Sequence, residues 1–179
     1  QFKYAAKPFT FYKNIFELNE ASFIKIDAHD FKIKRYERPV NIADSSPVKD
    51  QTLIHTCNDL LTNSVSRQLV ADVPVGLFLS GGIDSTLLLS KIHSLGHIGF
   101  PTFTIANALN EKAYGTNDVT FARLAAKKYQ SDHHKINVDS SMLQQLPEFV
   151  KLIDQPIGDS AIFLTHVISE EAKKHIKVA

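Results

Sequence analysis

Residues 80–85 of this 179-residue chain, Ser80-Gly81-Gly82-Ile83-Asp84-Ser85, bring together the residue types best suited to hold an anion. Gly81 and Gly82 can take positive φ and, lacking Cβ, let backbone N–H groups converge on a phosphate. A helix starting at this point adds its unpaired N–H groups and the positive end of its dipole. Ser80 and Ser85 supply hydroxyl donors. Asp84 is out of place beside a phosphate unless a cation stands between them, so it points to magnesium. The plainer alternative is a tight strand-to-helix turn with serine caps. Walker A is excluded, because the nearest lysine, Lys91, lies two turns downstream, and the three-glycine dinucleotide fingerprint is absent. Leu87 occupies the place where a nucleophile elbow around Ser85 needs its second glycine.

The flanking pattern explains how such a loop is positioned. A strand is expected at 75–79, a helix at 85–95 ended by Gly96, a strand at 100–106, a helix at 118–129 and a strand at 134–138. Helices are expected again at 140–153 and 163–175, and residues 176–179 look like the start of a strand. Alternating strands and helices with short connections predict an α/β fold, a doubly wound parallel sheet with ligands beyond the strands' carboxyl ends. Upstream, residues 9–36 alternate apolar and polar residues at 15–18, 23–26 and 31–34, the pattern of a short antiparallel β segment. Turns are expected at Asn19-Glu20 and at Ala28-His29-Asp30. Residues 38–47 read as a linker, and a helical stripe follows over 48–69, with Ser46 and Pro47 suited to its start.

Composition narrows the function classes. With 44% hydrophobic and 22% charged residues, the chain is of ordinary globular type. Its 20 basic and 19 acidic residues are interspersed, which gives no footprint for nucleic acid or an anionic membrane. Apolar runs are too short for a membrane helix. A single cysteine, Cys57, excludes an internal disulfide and fits a reducing, cytoplasmic setting.

Other candidate residues have plainer readings. Asp132-His133-His134 could ligate a metal, but adjacent histidines at a strand's start point to opposite faces. Asp154 and Asp159 flank a proline and either approach a substrate or turn the chain. His93 and His97 read as surface on either side of a helix end, and Cys57, on an apolar stripe, as a buried thiol.

The run Asp72-Val73-Pro74-Val75-Gly76 followed by Leu79 to Ser85 closely resembles glutamine-hydrolysing asparagine synthetases, whose Ser-Gly-Gly-x-Asp-Ser loop is that of ATP pyrophosphatases. Phe103-Thr104-Ile105, Phe121-Ala122-Arg123, Asp132-His133-His134 and residues 154–160, Asp-Gln-Pro-Ile-Gly-Asp-Ser, match in order. The resemblance covers essentially the whole chain. It implies an adenine nucleotide alpha hydrolase-like sheet in residues 45–179, preceded in residues 1–44 by the last strands of an N-terminal-nucleophile glutaminase domain and a linker. It also implies adenylation of aspartate by ATP, with Mg2+, release of pyrophosphate, and attack by ammonia from glutamine. Ser80 to Ser85 would hold the pyrophosphate and Asp84 the magnesium. Phe78, Leu79 and Ile105 would lie beside the adenine, and Asp154, Asp159 and Ser160 in a substrate loop. A homodimer is left open as the assembly. No catalytic residue is assigned.

The chain also departs from the family pattern. Gln1 stands at the start where the family's glutaminase has a cysteine, so the chain as given is not expected to hydrolyse glutamine. A second glycine- and acid-rich motif and a catalytic lysine, expected after residues 176–179, fall outside this sequence, which makes the longer parent protein the expected enzyme. Lys135 and Gln155 stand where the family often has glutamate. An amidotransferase for another carboxylate, such as a sugar acid or a β-lactam precursor, and a noncatalytic nucleotide-binding protein remain open alternatives.

Overall fold

A computed structural model describes residues 3–36, 50–107 and 118–179. The chain falls into two compact units, Gln1–Pro47 with Val150–Ser160, and Val48–Phe149 with Ala161–Ala179. The boundary expected at 44/45 and the caps expected at Ser46 and Pro47 lie outside the described residues.

In the first unit, β1 (Ser22–Ile26) and β2 (Phe31–Arg35) pair antiparallel, with Ile24 opposite Ile33. Their turn is made by a carboxylate that mimics backbone. Asp27 Oδ1 accepts from the N–H groups of His29 (3.1 Å) and Asp30 (3.0 Å). Two expectations need correction. The strand expected at 15–18 reduces to one bridge, Phe9 to Phe16. Nor is the hairpin half-buried, since Phe23, Ile24, Ile26, Phe31 and Ile33 are all exposed. The alternation marks strand geometry, but two strands alone make no second layer to bury it. Residues 150–160 complete the unit. Within it Lys3 Nζ meets Asp159 Oδ2 at 2.8 Å, the Tyr12 hydroxyl donates to the Asp154 carbonyl (2.8 Å), and Gln155 Nε2 donates to Glu17 Oε1 (2.9 Å).

The second unit is α/β. Its elements are α1 (Asp50–Gln68), β3 (Leu77–Phe78), α2 (Ile83–Ser94), β4 (Pro101–Asn107), α3 (Asp118–Lys128), β5 (Asp132–Val138), a 3-10 turn (Ser140–Gln145), α4 (Leu146–Leu152), which runs on into the first unit, and α5 (Ala161–Ala172). The strands form a parallel sheet in the order β3-β4-β5, with Phe78, Phe103 and His134 in register. At the chain's end Val178 bridges Val75 in parallel, and its carbonyl accepts the Gly76 N–H at 2.9 Å.

On one side of the sheet Leu79 packs with Leu89 of α2 and with Ala122, Ala125 and Ala126 of α3. The three alanines let these helices approach closely. Val65 of α1, Ile92 of α2 and Phe100 form a neighbouring cluster. Phe103 is fully buried, edge-on to Phe78 at 6.5 Å between ring centroids and stacked on His134 at 5.0 Å, with His175 at 5.9 Å.

Three helical expectations change. The helix expected at 140–153 is split into a 3-10 turn and α4, because Pro147 lacks an N–H and suits a helix's first turn. Asp139 caps the 3-10 turn, and the donors of Ser141 hold its carboxyl below its ordinary range. Cys57 is exposed rather than buried. Leu61 and Val65 of α1, with Leu69 just beyond its end, pack with Ile92 of α2, and Lys91 Nζ donates to Asn58 Oδ1, whereas Leu53, Cys57 and Leu60 earlier on the stripe are exposed. His97 is exposed as expected, whereas His93 is half-buried beside Tyr129 at 5.7 Å.

His133 and His134 face opposite sides of the sheet. His134 stacks on Phe103, and His133 Nδ1 lies 3.1 Å from the buried Thr102 hydroxyl. Burial pushes the His133 imidazole below its ordinary 6.5, the charge of His134 adds to this, and Asp132 opposes it. The folded protein therefore prefers neutral His133, and the unfolded chain binds more protons. This stabilisation is present above about 6.5 and is lost as pH falls toward the depressed folded value. The melting temperature of the wild type is expected to fall more steeply from pH 7 to pH 5.5 than that of His133→Gln. Equal slopes would refute the assignment.

Candidate functional site

The loop is built where β3 stops. The ladder ends at the pair Phe78 and Phe103. One residue on, the Leu79 N–H donates to the Phe103 carbonyl (2.7 Å) and the Thr104 hydroxyl donates to the Leu79 carbonyl (2.5 Å). The chain then leaves the sheet at Ser80. Gly81 has φ +82, and a Cβ there would lie 2.1 Å from the Asp118 carbonyl oxygen and 2.9 Å from the Ala122 nitrogen. The loop therefore turns directly against the first turn of α3, in a conformation suited to glycine.

Gly82 behaves differently from expectation. At φ −71 and ψ 168 it is the N-cap of α2 in ordinary extended backbone, so only Gly81 uses positive φ. An N-cap residue takes β-region dihedrals, which any residue can adopt. The first helical bond runs from the Thr86 N–H to the Gly82 carbonyl at 3.1 Å. Gly82 has no side-chain cap to offer, and the N–H groups of Ile83, Asp84 and Ser85 precede that first bond, at the positive end of α2. Ser80 and Ser85 lie with their hydroxyl oxygens 3.0 Å apart, and Ser80 Oγ accepts the Gly82 N–H at 3.3 Å. Two hydroxyls and a run of helical N–H groups thus share one short loop.

Ser80 lies at the mouth of a cleft of about 330 Å³ at the carboxyl ends of the strands. Phe78, Leu79 and Ile105 also line it, so the structure brings these sequence candidates together. Leu79 is 1% exposed with its side chain in the core, which makes it wall rather than open surface. Phe103, Thr104, Asp118 and the α5 residues Ala161, Leu164, Thr165 and Ile168 complete the lining. Sequence reading passed over these. Thr104 sat inside a matched triplet, and the α5 residues that line the cleft are apolar apart from Thr165. Asp84 is exposed in the first turn of α2. Asp154, Asp159 and Ser160 belong to the first unit, where Asp159 pairs with Lys3. Among the described residues no three His, Cys, Asp or Glu side chains form a metal cluster, and no helix is long and apolar enough to cross a membrane.

The family model described as asparagine synthase matches residues 56–179, which includes the whole loop and sheet. The chain belongs to the asparagine synthase family. It is 31% identical, over 98% of its length, to a provisionally named glutamine-hydrolysing asparagine synthetase of Mycobacterium tuberculosis, of which it covers 27%. A similarly named protein of Methanocaldococcus jannaschii is 29% identical over 96% of the chain, which covers 33% of it. Asparagine synthetase (glutamine-hydrolysing) 1 of Bacillus subtilis is 32% identical over 76% of the chain, which covers 21% of it. The chain thus spans a third or less of the length of these asparagine synthase relatives. Enzymes bearing that name are carbon–nitrogen ligases, and the chain's similarity to them runs through both of its units.

Proposed function

We propose that this chain holds the pyrophosphate end of ATP in a glutamine-dependent asparagine synthetase. The reaction is adenylation of aspartate with release of pyrophosphate, followed by amidation with ammonia from glutamine. The observation that carries this reading is the loop itself, with hydroxyls of Ser80 and Ser85 3.0 Å apart beside the uncapped amino-terminal N–H groups of α2, in a family member. When the bond between the α and β phosphates breaks, negative charge grows on the departing pyrophosphate. Donors already fixed at that position stabilise the charge without reorganising.

The cleft and its surroundings support the same assignment. The sheet, with helices packed around it, is read as the doubly wound ATP pyrophosphatase type. Phe78 and Ile105 give the cleft beside Ser80 apolar walls suited to a flat adenine ring. The donor set fits magnesium better than a transition metal. Mg2+ takes one or two carboxylates together with substrate phosphates and keeps several waters, and Asp84 is an exposed carboxylate beside the loop. Magnesium would neutralise phosphate charge, and Asp84 is the residue that would hold it. Asp154, Asp159 and Ser160 are proposed for the substrate loop of the whole protein. The single cysteine, Cys57, suits a cytoplasmic setting.

The full-length protein, given aspartate, glutamine and ATP, is expected to form asparagine, AMP and pyrophosphate. Formation of ADP would refute the adenylation. Pyrophosphate release with a different carboxylate but not with aspartate would move the protein to a related amidotransferase. For Asp84→Ala we expect KM for Mg-ATP to rise about tenfold or more while the melting temperature stays nearly constant, because an exposed side chain away from packing and capping rarely shifts stability much. A large melting shift with unchanged nucleotide binding would contradict this.

A further inference from the structure

We infer that Thr104 is a positioning residue for the phosphate loop, acting through the carbonyl of Leu79. The inference rests on the proposed role of that loop. β3 is only two residues long, so its pairing with β4 ends before the loop begins. Strand ends with few ladder bonds open readily. Here the last residue before Ser80 is gripped twice by consecutive residues of β4. The Phe103 carbonyl takes the Leu79 N–H, and the Thr104 hydroxyl takes over from the backbone ladder by donating to the Leu79 carbonyl. Thr104 lines the cleft and is 3% exposed, and its hydroxyl has the Leu79 carbonyl as its partner.

The two residues after Leu79 have little tolerance for displacement. Ser80 must keep its hydroxyl 3.0 Å from that of Ser85, and Gly81 must turn against the Asp118 carbonyl. A shift of Leu79 is passed straight to both. Donors aimed at a developing charge have to be held within about half an ångström of their working positions, and the groups that lock them contribute to function without touching substrate. The alternative is that Thr104 is simply a buried hydroxyl with its hydrogen bond satisfied.

Thr102 provides the control. It lies two residues earlier on the same strand and is fully buried, but its hydroxyl is engaged by Ser131 Oγ (3.0 Å) and His133 Nδ1 (3.1 Å), toward β5 and away from the loop. Valine has nearly the shape of threonine and cannot donate, whereas serine keeps the donor.

The test uses the full-length protein and two readouts, titration calorimetry with magnesium pyrophosphate and hydrogen exchange of the peptide covering residues 79–86. Thr104→Val is expected to bind pyrophosphate about tenfold more weakly and to exchange faster in that peptide, since small misplacements of aligned groups have effects of this size or larger. Thr104→Ser should stay within about twofold of wild type, well inside that range. Thr102→Val should lower the melting temperature while leaving both readouts at wild-type values. If Thr104→Val does not fold, Thr104→Ala is read in its place against Thr104→Ser. Wild-type binding and exchange in the variant lacking the hydroxyl would overturn the inference, as would equal losses in the serine variant. A wild type with no affinity for pyrophosphate would refute the loop's proposed ligand, and the exchange comparison would then decide the role of Thr104 alone.

Discussion

Replacing Gly81 with alanine is expected to cost about 2–5 kcal/mol of stability and to abolish nucleotide use. The lower part of that range comes from forcing an L-residue into left-handed backbone, roughly 1–2 kcal/mol. Gly81 has φ +82. The remainder is steric, because the new Cβ would sit 2.1 Å from the Asp118 carbonyl oxygen, and backbone at the start of a helix cannot swing aside as a side chain can. Overpacking of that kind adds typically about 1–3 kcal/mol. Either the loop or α3 must move, and each movement separates the loop's donors. Gly82→Ala is the matched comparison. Gly82 sits at φ −71, and its added Cβ would meet only Ser80 Oγ, at 3.3 Å, so a loss below about 1 kcal/mol is expected. Urea unfolding of the two variants, with pyrophosphate release measured alongside, checks both statements. Equal stability losses would contradict them.

Phe103→Ala is expected to be the most destabilising single truncation in the sheet, at about 3–5 kcal/mol. The side chain is fully buried and meets three rings, those of Phe78, His134 and His175. Its loss leaves a cavity between the sheet and the segment after α5, where Ile176 is also buried. Since native stability totals only about 5–15 kcal/mol, such a loss is expected to leave a substantial unfolded fraction at moderate temperature. The urea midpoint reads it directly. A loss under about 1.5 kcal/mol would mean that His134 and His175 close the gap.

The sequence announces local geometry far better than it announces cover. β4 was legible because apolar residues and β-branched threonines cluster there, β5 because Ile136 and Val138 alternate with polar residues, and the end of α2 because Gly96 takes the positive φ that helix termini favour. Cys57 and the hairpin were misjudged for one shared reason. An apolar stripe or an alternating strand states which face wants burial and says nothing of what lies opposite it. The break before α4 needed only Pro147, a signal present but outweighed by the surrounding periodicity.

At the site, the loop's glycines, serines and aspartate could be read directly, but their division of labour could not. Gly81 and Gly82 look equivalent in one dimension, and only the approach of Asp118, 37 positions away in the chain, distinguishes them. Thr104 reaches Leu79 across 25 positions, a side-chain-to-backbone tie that no local pattern encodes. The adenine-adjacent candidates came from resemblance rather than from periodicity, and their shared cleft is a property of the sheet's register.

The first unit draws its residues from two stretches of the chain separated by residues 48–149 of the larger one, and this sets an order of events during synthesis. Lys3 and Asp159 are partners 156 positions apart. A growing chain therefore presents residues 3–36 before their partners in residues 150–160 have left the ribosome. Bringing such distant ends together is entropically expensive unless the intervening chain has already become compact. The sheet of β3, β4 and β5, whose paired residues lie only 25 and 31 positions apart, is the natural structure to form first. Until residues 150–160 emerge, the Lys3, Tyr12 and Glu17 side chains lack their folded partners, and this is the stage at which a chaperone would have most effect on yield.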